Sequence, residues 1–530
     1  MSALVRLAPD PLALRPLVAR PTTLWLFFLL AVCATGNLRS QCPDGTPPPC
    51  GHPAVGAPPG NSVAVLLFAN VTGDSSDAYL SDGLASEIAT SLARVPRLAV
   101  TSPGVVRSAQ RGGDADPRRL GRRLGVRYVV EGDYQRGGGR IRISVNLVAV
   151  AAGTQQWAES YTRPAADLLA VQEDIAGAVA TAIAGRLLPA ERTVLASRPT
   201  SKPEAYDHVL RGDHELARRT PEGVARAIDE YAAAVRLDST FARADARIAL
   251  GYALYLDWGW DYQELGADSL VARGTRAVDR ALALDSTSAD AWMVRGYLLA
   301  FVHPRTLEGV LPALERATRL DPRNAEAWHQ YSSWLFNVDP ARALAPASRA
   351  LQLEPGRAIT HFLVGNTYEV LRRDRDAALS YDSAIAANPE FYAAYASRAY
   401  LRLRLGDTVG ARADAEAALR TGPPSEQYYG LGAAAAVAAA GGDSAAARDL
   451  TARAAAVAGG RRGPFVAGTL AEAFVAAGQR ERALRVLEEA TPRGAALWNF
   501  MLWPELAPLR ADPRFQRLLA ESRPPGAMEP

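Results

Sequence analysis

Residues 355–389 read PGRAITHFLVGNTYEVLRRDRDAALSYDSAIAANP, and this stretch decides the fold. It opens and closes on proline, which has no backbone N–H to donate and therefore marks a helix end. Between the prolines, Gly365, Tyr368, Ala377, Tyr381 and Ala384 occupy packing positions, the last four at offsets 3, 12, 16 and 19 from the glycine, with Pro389 at offset 24. Small residues let two helix backbones approach, and rings fill the space between successive pairs. The next unit repeats the offsets with Ala399, Ala411, Ala415, Ala418 and Pro423. Upstream, Trp328, Tyr331, Ala343, Ala347, Ala350 and Pro355 match with one residue deleted, and Trp292, Gly296, Leu299, Ala317 and Pro322 match with two inserted. Pro322, Pro355, Pro389 and Pro423 thus stand 33, 34 and 34 residues apart.

A helix–turn–helix unit of this period resembles the tetratricopeptide (TPR) repeat. The resemblance implies an all-α, right-handed superhelix of stacked helix pairs whose concave face takes up protein or peptide. Leu237-Asp238-Ser239 and Leu284-Asp285-Ser286 are looser junctions upstream, and two Ala-rich pairs follow Pro423. Residues 204–491 are expected to hold about eight pairs, enough for a stack stabilised by its neighbours. Residues 492–522 leave the period at Trp503-Pro504-Glu505 and Asp512-Pro513 and are expected to cap the end. In TPR geometry the groove is lined mainly by the first helix of each pair. One position after the packing Gly or Ala stand Tyr297, Asn366 and Tyr400, and one turn earlier stand Met293, His329 and Phe362. Aromatic and amide groups so mixed suit an extended peptide; the same rings also suit contact with the neighbouring repeat. The long second unit carries Trp258, Trp260 and Tyr262, a contact loop if exposed and a filler of the stack if buried.

Composition narrows the function. At 530 residues and 48% apolar, the chain should hold more than one domain. A net charge of +3 gives no field directed at nucleic acid, and none is expected as a partner. Of 59 basic residues only Lys202 is a lysine, between Ser201 and Pro203 with no glycine-rich turn before it. P-loop, protein-kinase and Schiff-base chemistries each need a placed lysine, so all three are excluded. His214-Glu215 opens like a zinc-protease motif but lacks the second His a turn later, and Gly430-Leu431-Gly432 follows a helix junction rather than a strand. No catalytic residue, cofactor or metal is therefore expected.

Residues 1–36 carry Arg6, Arg15 and Arg20 ahead of the uncharged run LWLFFLLAVCA at 24–34. That length suits a signal-peptide core; the alternative is a short uncleaved anchor holding the chain to the membrane through residues 22–36. Either would place the rest of the chain on the exported, periplasmic side of a bacterial cell envelope. Residues 37–61 form a Pro/Gly-rich linker. Within it Cys42 and Cys50 would close a small disulfide loop outside the cytoplasm or remain an unpaired, inert pair.

Residues 62–188 read as a compact α/β unit in the order β-α-β-α-β-β-β-α. VAVLLF at 63–68 suits a buried strand, and Leu80, Leu84, Ile88 and Leu92 line one helix face. Ile141, Ile143, Val145 and Leu147 alternate with Arg140, Arg142, Ser144 and Asn146, giving a dry and a wet strand face around a Gly137-Gly138-Gly139 turn. Phe68, Asn70, Gly73, Asp82-Gly83-Leu84, Gly125-Val126, Glu131-Gly132, Trp157 and Gln172 make this unit similar to the amino-terminal domain of TolB, although Leu67 stands where that family usually has proline. The resemblance implies protein interaction in the envelope and supplies no catalytic residues. Relatives of this build place the domain ahead of a TPR array in bacterial signalling proteins, sometimes behind a kinase, cyclase or DNA-binding region. Residues 189–203 are expected to be a linker. The whole is then a multidomain chain, a small α/β unit followed by an all-α TPR superhelix, acting as a non-catalytic protein- or peptide-binding scaffold or receptor. The alternatives are an accessory sensor of a kinase or cyclase pathway without its own effector, and an enzyme with an unrecognised site.

Overall fold

The computed structural model describes residues 60–527 apart from 111–115, 219, 261, 460, 462 and 491–494. The apolar run, the Pro/Gly-rich linker, Cys42 and Cys50 lie outside the described residues. Six strands, β1 (Ser62–Val65), β2 (Ala69–Asn70), β3 (Ala99–Val100), β4 (Tyr128–Gly137), β5 (Arg140–Ala149) and β6 (Thr154–Pro164), form one sheet in the order β3-β1-β4-β5-β6, with β2 also paired to β4. β1 runs parallel to β3 and β4, whereas β4, β5 and β6 are antiparallel neighbours. The β4–β5 hairpin turns at Gly138 and Gly139 with φ of +58° and +73°, a conformation that side-chain-bearing residues rarely adopt. Helices α1 (Tyr79–Ala93) and α4 (Leu168–Ala184) cover the face bearing Ile141, Ile143, Val145 and Leu147. Helices α2 (Pro103–Gln110) and α3 (Pro117–Arg123) cover the other, over Ala64, Leu66 and Val129.

The first strand is shorter than its apolar run: it ends at Val65, and the Leu67 N–H donates to the Gln110 side-chain Oε1 at 2.9 Å rather than to a strand neighbour. Proline could not make that bond. The expected linker at 189–203 contains a helix, α5 (Pro189–Leu195). Pro189 is preset for the first helical turn, and Glu191 accepts from the Leu188 N–H at 2.8 Å while pairing with Arg97 at 2.7 Å.

Eight helix pairs follow among the described residues: α6/α7 (Pro203–Leu216, Pro221–Leu237), α8/α9 (Ala242–Trp258, Ala267–Leu284), α10/α11 (Ala289–Val302, Val310–Leu320), α12/α13 (Ala325–Phe336, Pro340–Leu353), α14/α15 (Ala358–Val370, Asp374–Ala387), α16/α17 (Tyr392–Arg404, Thr408–Thr421), α18/α19 (Tyr428–Ala440, Ser444–Ala458) and α20/α21 (Pro464–Ala476, Arg480–Ala490). Beyond them lie α22 (Ala495–Met501), a 3-10 turn at Pro504–Leu509 and α23 (Pro513–Ser522). The chain is thus a mostly helical, TPR-like superhelix with a small mixed sheet near its start. Close approach inside a pair is visible at Gly365, where a Cβ would lie 2.5 Å from Tyr381 Cε1. No described helix is long and apolar enough to cross a membrane.

The sheet and the array do not have separate cores. One hydrophobic cluster runs from Val63 through α1 and α6 to Trp334 and Val338. Helix α1 is buried on two faces: Leu80, Leu84 and Ile88 join the sheet's core, while Gly83 sits against Leu210 of α6. Tyr206 donates to Gln172 Oε1 at 2.6 Å, and Arg243 joins Glu87 and Asp213, each at 2.7 Å. Farther along, Arg323 donates to the Ala93 and Leu98 carbonyls at 3.0 and 2.8 Å.

Candidate functional site

The inner face of the later repeats is built by helical spacing. Residues three, four and seven apart share a helix face. α14 therefore brings Phe362 and Asn366 together, α16 brings Ala396 and Tyr400, and α20 brings Phe465, Thr469 and Glu472. With Tyr429 of α18 and with Phe500 and Trp503 from the C-terminal segment, these residues line one small cavity of about 10 Å³. The stack curls far enough for its last pair to approach its second: a Cβ at Gly463, before α20, would lie 3.9 Å from the Asp257 carbonyl oxygen in α8.

Three residues expected in a peptide groove, Phe362, Asn366 and Tyr400, do meet, but as walls of a nearly closed cavity rather than an open trough. The cause is residues 495–509. Expected only to cap the end of the stack, this segment instead runs back over α12, α14 and α16. Asn499 donates to Asn337 Oδ1 at 2.7 Å, and Trp498 packs in a cluster with Leu502 and Val370. Phe500 meets Phe465 edge-on at 4.9 Å between centroids and Trp503 at 5.2 Å. Arg404 gathers Glu505, Glu369 at 2.6 Å and Asp374 at 3.1 Å.

The remaining groove candidates are corrected by burial. Met293 is part of the core, and Tyr297 meets Phe301 and Trp334, so both seal repeat against repeat. His329 Nδ1 lies 3.0 Å from Thr360 Oγ1; burial, helped by Arg357, lowers its pKa to about 4 and keeps the ring neutral at pH 7. In the second unit, Tyr262 is buried with its ring 5.7 Å from Tyr252 and 4.7 Å from Tyr255. Trp260 is half-buried and stacks at 5.4 Å on Trp258, which alone of the three is exposed, at 37%. This loop mainly fills the stack.

Sequence reasoning missed the charges. Glu369, Glu472 and Glu505 are buried around a single guanidinium, Arg404. Burial, and for Glu369 and Glu472 the neighbouring carboxylates as well, raise these acids above the ordinary range; Arg404 opposes the shift. A signal existed: Glu472 is the sole charge in the helix PFVAGTLAEAFVA. Because the folded-state pKa lies above the unfolded value of about 4.5, this contribution to stability is present in acid and is lost as pH rises through the folded pKa. Glu472→Gln should therefore gain on wild type as pH rises above the unfolded value. Paired urea titrations check this; a difference that does not change with pH would refute it. Among the described residues no group of three or more His, Cys, Asp or Glu could hold a metal ion.

No family model matches the chain. A curated protein of Rhizobium meliloti (strain 1021), "Putative adenylate cyclase 3", is 37% identical over 150 residues, 28% of this chain; the chain spans 25% of that protein's length. Among solved structures, yeast Tom70 is similar over 67% of this chain and 82% of its own, at 13% identity and a TM-score of 0.38. The type IV pilus biogenesis factor PilW is similar over 40% and 91%, at 19% identity and 0.33. YrrB, a TPR protein with an unusual peptide-binding site, is similar over 40% and 98%, at 20% identity and 0.25. At these scores the repeat architecture rests on the helix pairing of this chain itself.

Proposed function

We propose that this chain is a non-catalytic scaffold or receptor that holds a protein or peptide partner along the inner face of its repeats, on the exported side of a bacterial envelope. The observation that carries this reading is that the chain's own aromatic segment, Phe500 and Trp503, lines one cavity with Phe362 and Tyr400 of successive repeats. A face that accommodates one such segment has the rings and amide groups to accommodate another. The TPR spacing and the resemblance of residues 62–188 to the TolB amino-terminal domain support it. The local identity with the Rhizobium protein favours a second reading, a sensor module of a cyclase pathway without its own effector.

Affinity capture from envelope extract with the full chain, read by mass spectrometry, tests the proposal. Phe362→Ala and Tyr400→Ala should each weaken partner retention by about 2 kcal/mol where they act as anchors. Arg412→Ala, exposed on the second helix of its pair, should leave retention unchanged. Alanine variants with native helicity and undiminished retention would remove the inner face from consideration. The compartment is tested separately: a reporter fused after Pro530 should be active only outside the cytoplasm, and cytoplasmic activity would overturn that placement.

A further inference from the structure

Among the residues lining the cavity at the inner face, two acceptors are unsatisfied, beside one unsatisfied donor, the Trp503 indole Nε1. Glu472 is 3% exposed, and its Oε1 is buried without a hydrogen-bond donor. The Tyr400 hydroxyl lines the same cavity and is likewise buried without a partner. Around them stand the rings of Phe362, Tyr429, Phe465, Phe500 and Trp503. A buried acceptor left unmet is costly, and an ionised carboxylate far more so. Aromatic faces carry negative quadrupole charge and attract cations. A positively charged hydrogen-bond donor meets both acceptors and the ring faces together.

Glu472 is the charged residue among those lining the cavity, and beside it Glu369, Glu505 and Asp374 share the one guanidinium of Arg404. An incoming cation would supply the missing positive charge. Size selects which one. A cavity of about 10 Å³ takes one water-sized group. A primary ammonium is of that size, whereas a guanidinium or a trimethylammonium is not. Phe465, 43% exposed, provides an apolar approach along which an alkyl stem can lie.

We infer that this cavity is a recognition subsite for a primary ammonium group, the lysine side chain of a bound peptide. The ammonium donates to Glu472 Oε1 and to the Tyr400 hydroxyl, with its remaining N–H over the rings. The chain's one lysine, Lys202, directly precedes α6 and is not among the residues lining the cavity. The inference deepens the inner-face reading by giving the partner a chemistry. Burial and the neighbouring carboxylates raise the Glu472 carboxyl above the ordinary range, and a bound ammonium would oppose that shift.

Calorimetric titration of the full chain with three probes tests this: acetyl-Gly-Lys-Gly-amide, the same peptide acetylated on the lysine amine, and n-butylammonium. The lysine peptide should bind. Acetylation should weaken it at least about tenfold, and so should Glu472→Gln. Tyr400→Phe, which keeps the ring, should give a smaller loss in the same direction and carries the comparison if Glu472→Gln fails to fold. Equal binding of both peptides, or binding insensitive to both substitutions, would overturn the subsite while leaving the inner-face reading intact. Binding of n-butylammonium that depends on Glu472 and matches the lysine peptide would keep the ammonium subsite and overturn the peptide source. Failure of every ammonium probe on wild type would show a water site only and end the proposal.

Discussion

Arg404→Ala should destabilise the protein by about 3–5 kcal/mol and free the C-terminal segment from the inner face. Arg404 is the guanidinium shared by Glu369, Asp374 and Glu505, and its removal leaves buried carboxylates facing one another. Those acids would take up protons or draw in water, and either response opens the wall made by Phe500 and Trp503. Urea denaturation gives the magnitude. Tryptophan emission gives the location, because Trp498 and Trp503 are buried and should shift to the red as the segment leaves. Adding Glu505→Gln to Arg404→Ala should recover part of the loss, since it removes a carboxylate left unpaired. A midpoint and emission maximum equal to wild type would mean that the ion cluster does not hold the segment.

Gly365→Leu should cost on the order of 3 kcal/mol. Its Cβ alone would fall 2.5 Å from Tyr381 Cε1, so the tyrosine must move. Tyr381 is fully buried and donates toward Asn366 Oδ1 at 2.8 Å and toward Glu369, so its displacement also breaks bonds that position the cavity wall. Each pair in a repeat stack is stabilised by its neighbours, so the loss should spread into α12/α13 and α16/α17. Gly177→Ala in α4 is the control: a Cβ there meets nothing within 4 Å, and the change should be neutral or stabilising by up to about 1 kcal/mol. Thermal unfolding of both variants checks the pair, and an unchanged midpoint for Gly365→Leu would place the packing position elsewhere.

Local chemistry made much of this legible before any coordinates. Proline after a helix end and small residues at fixed offsets are rules that act within a few residues, and they put the pairs from α12 to α17 in register. The alternation of Ile141, Ile143, Val145 and Leu147 likewise depends only on the two-residue period of a strand and places them in the core. The helix at Pro189–Leu195 was missed although its Pro and Glu signals were local ones; the sharper losses lay in what is not local. Offset arithmetic shows which residues share a helix face but not what comes to cover it. Superhelical curvature accumulates from small rotations between repeats. No single repeat's pattern states that residues 495–509 will lie on α14 and α16, or that the eighth pair will approach the second. The sequence alone therefore determined the repeats and their packing residues. Only the tertiary structure decided that the inner face closes and that Glu472 meets Arg404, Glu369 and Glu505, because those groups are distant along the chain and their meeting is set by the summed geometry of the stack.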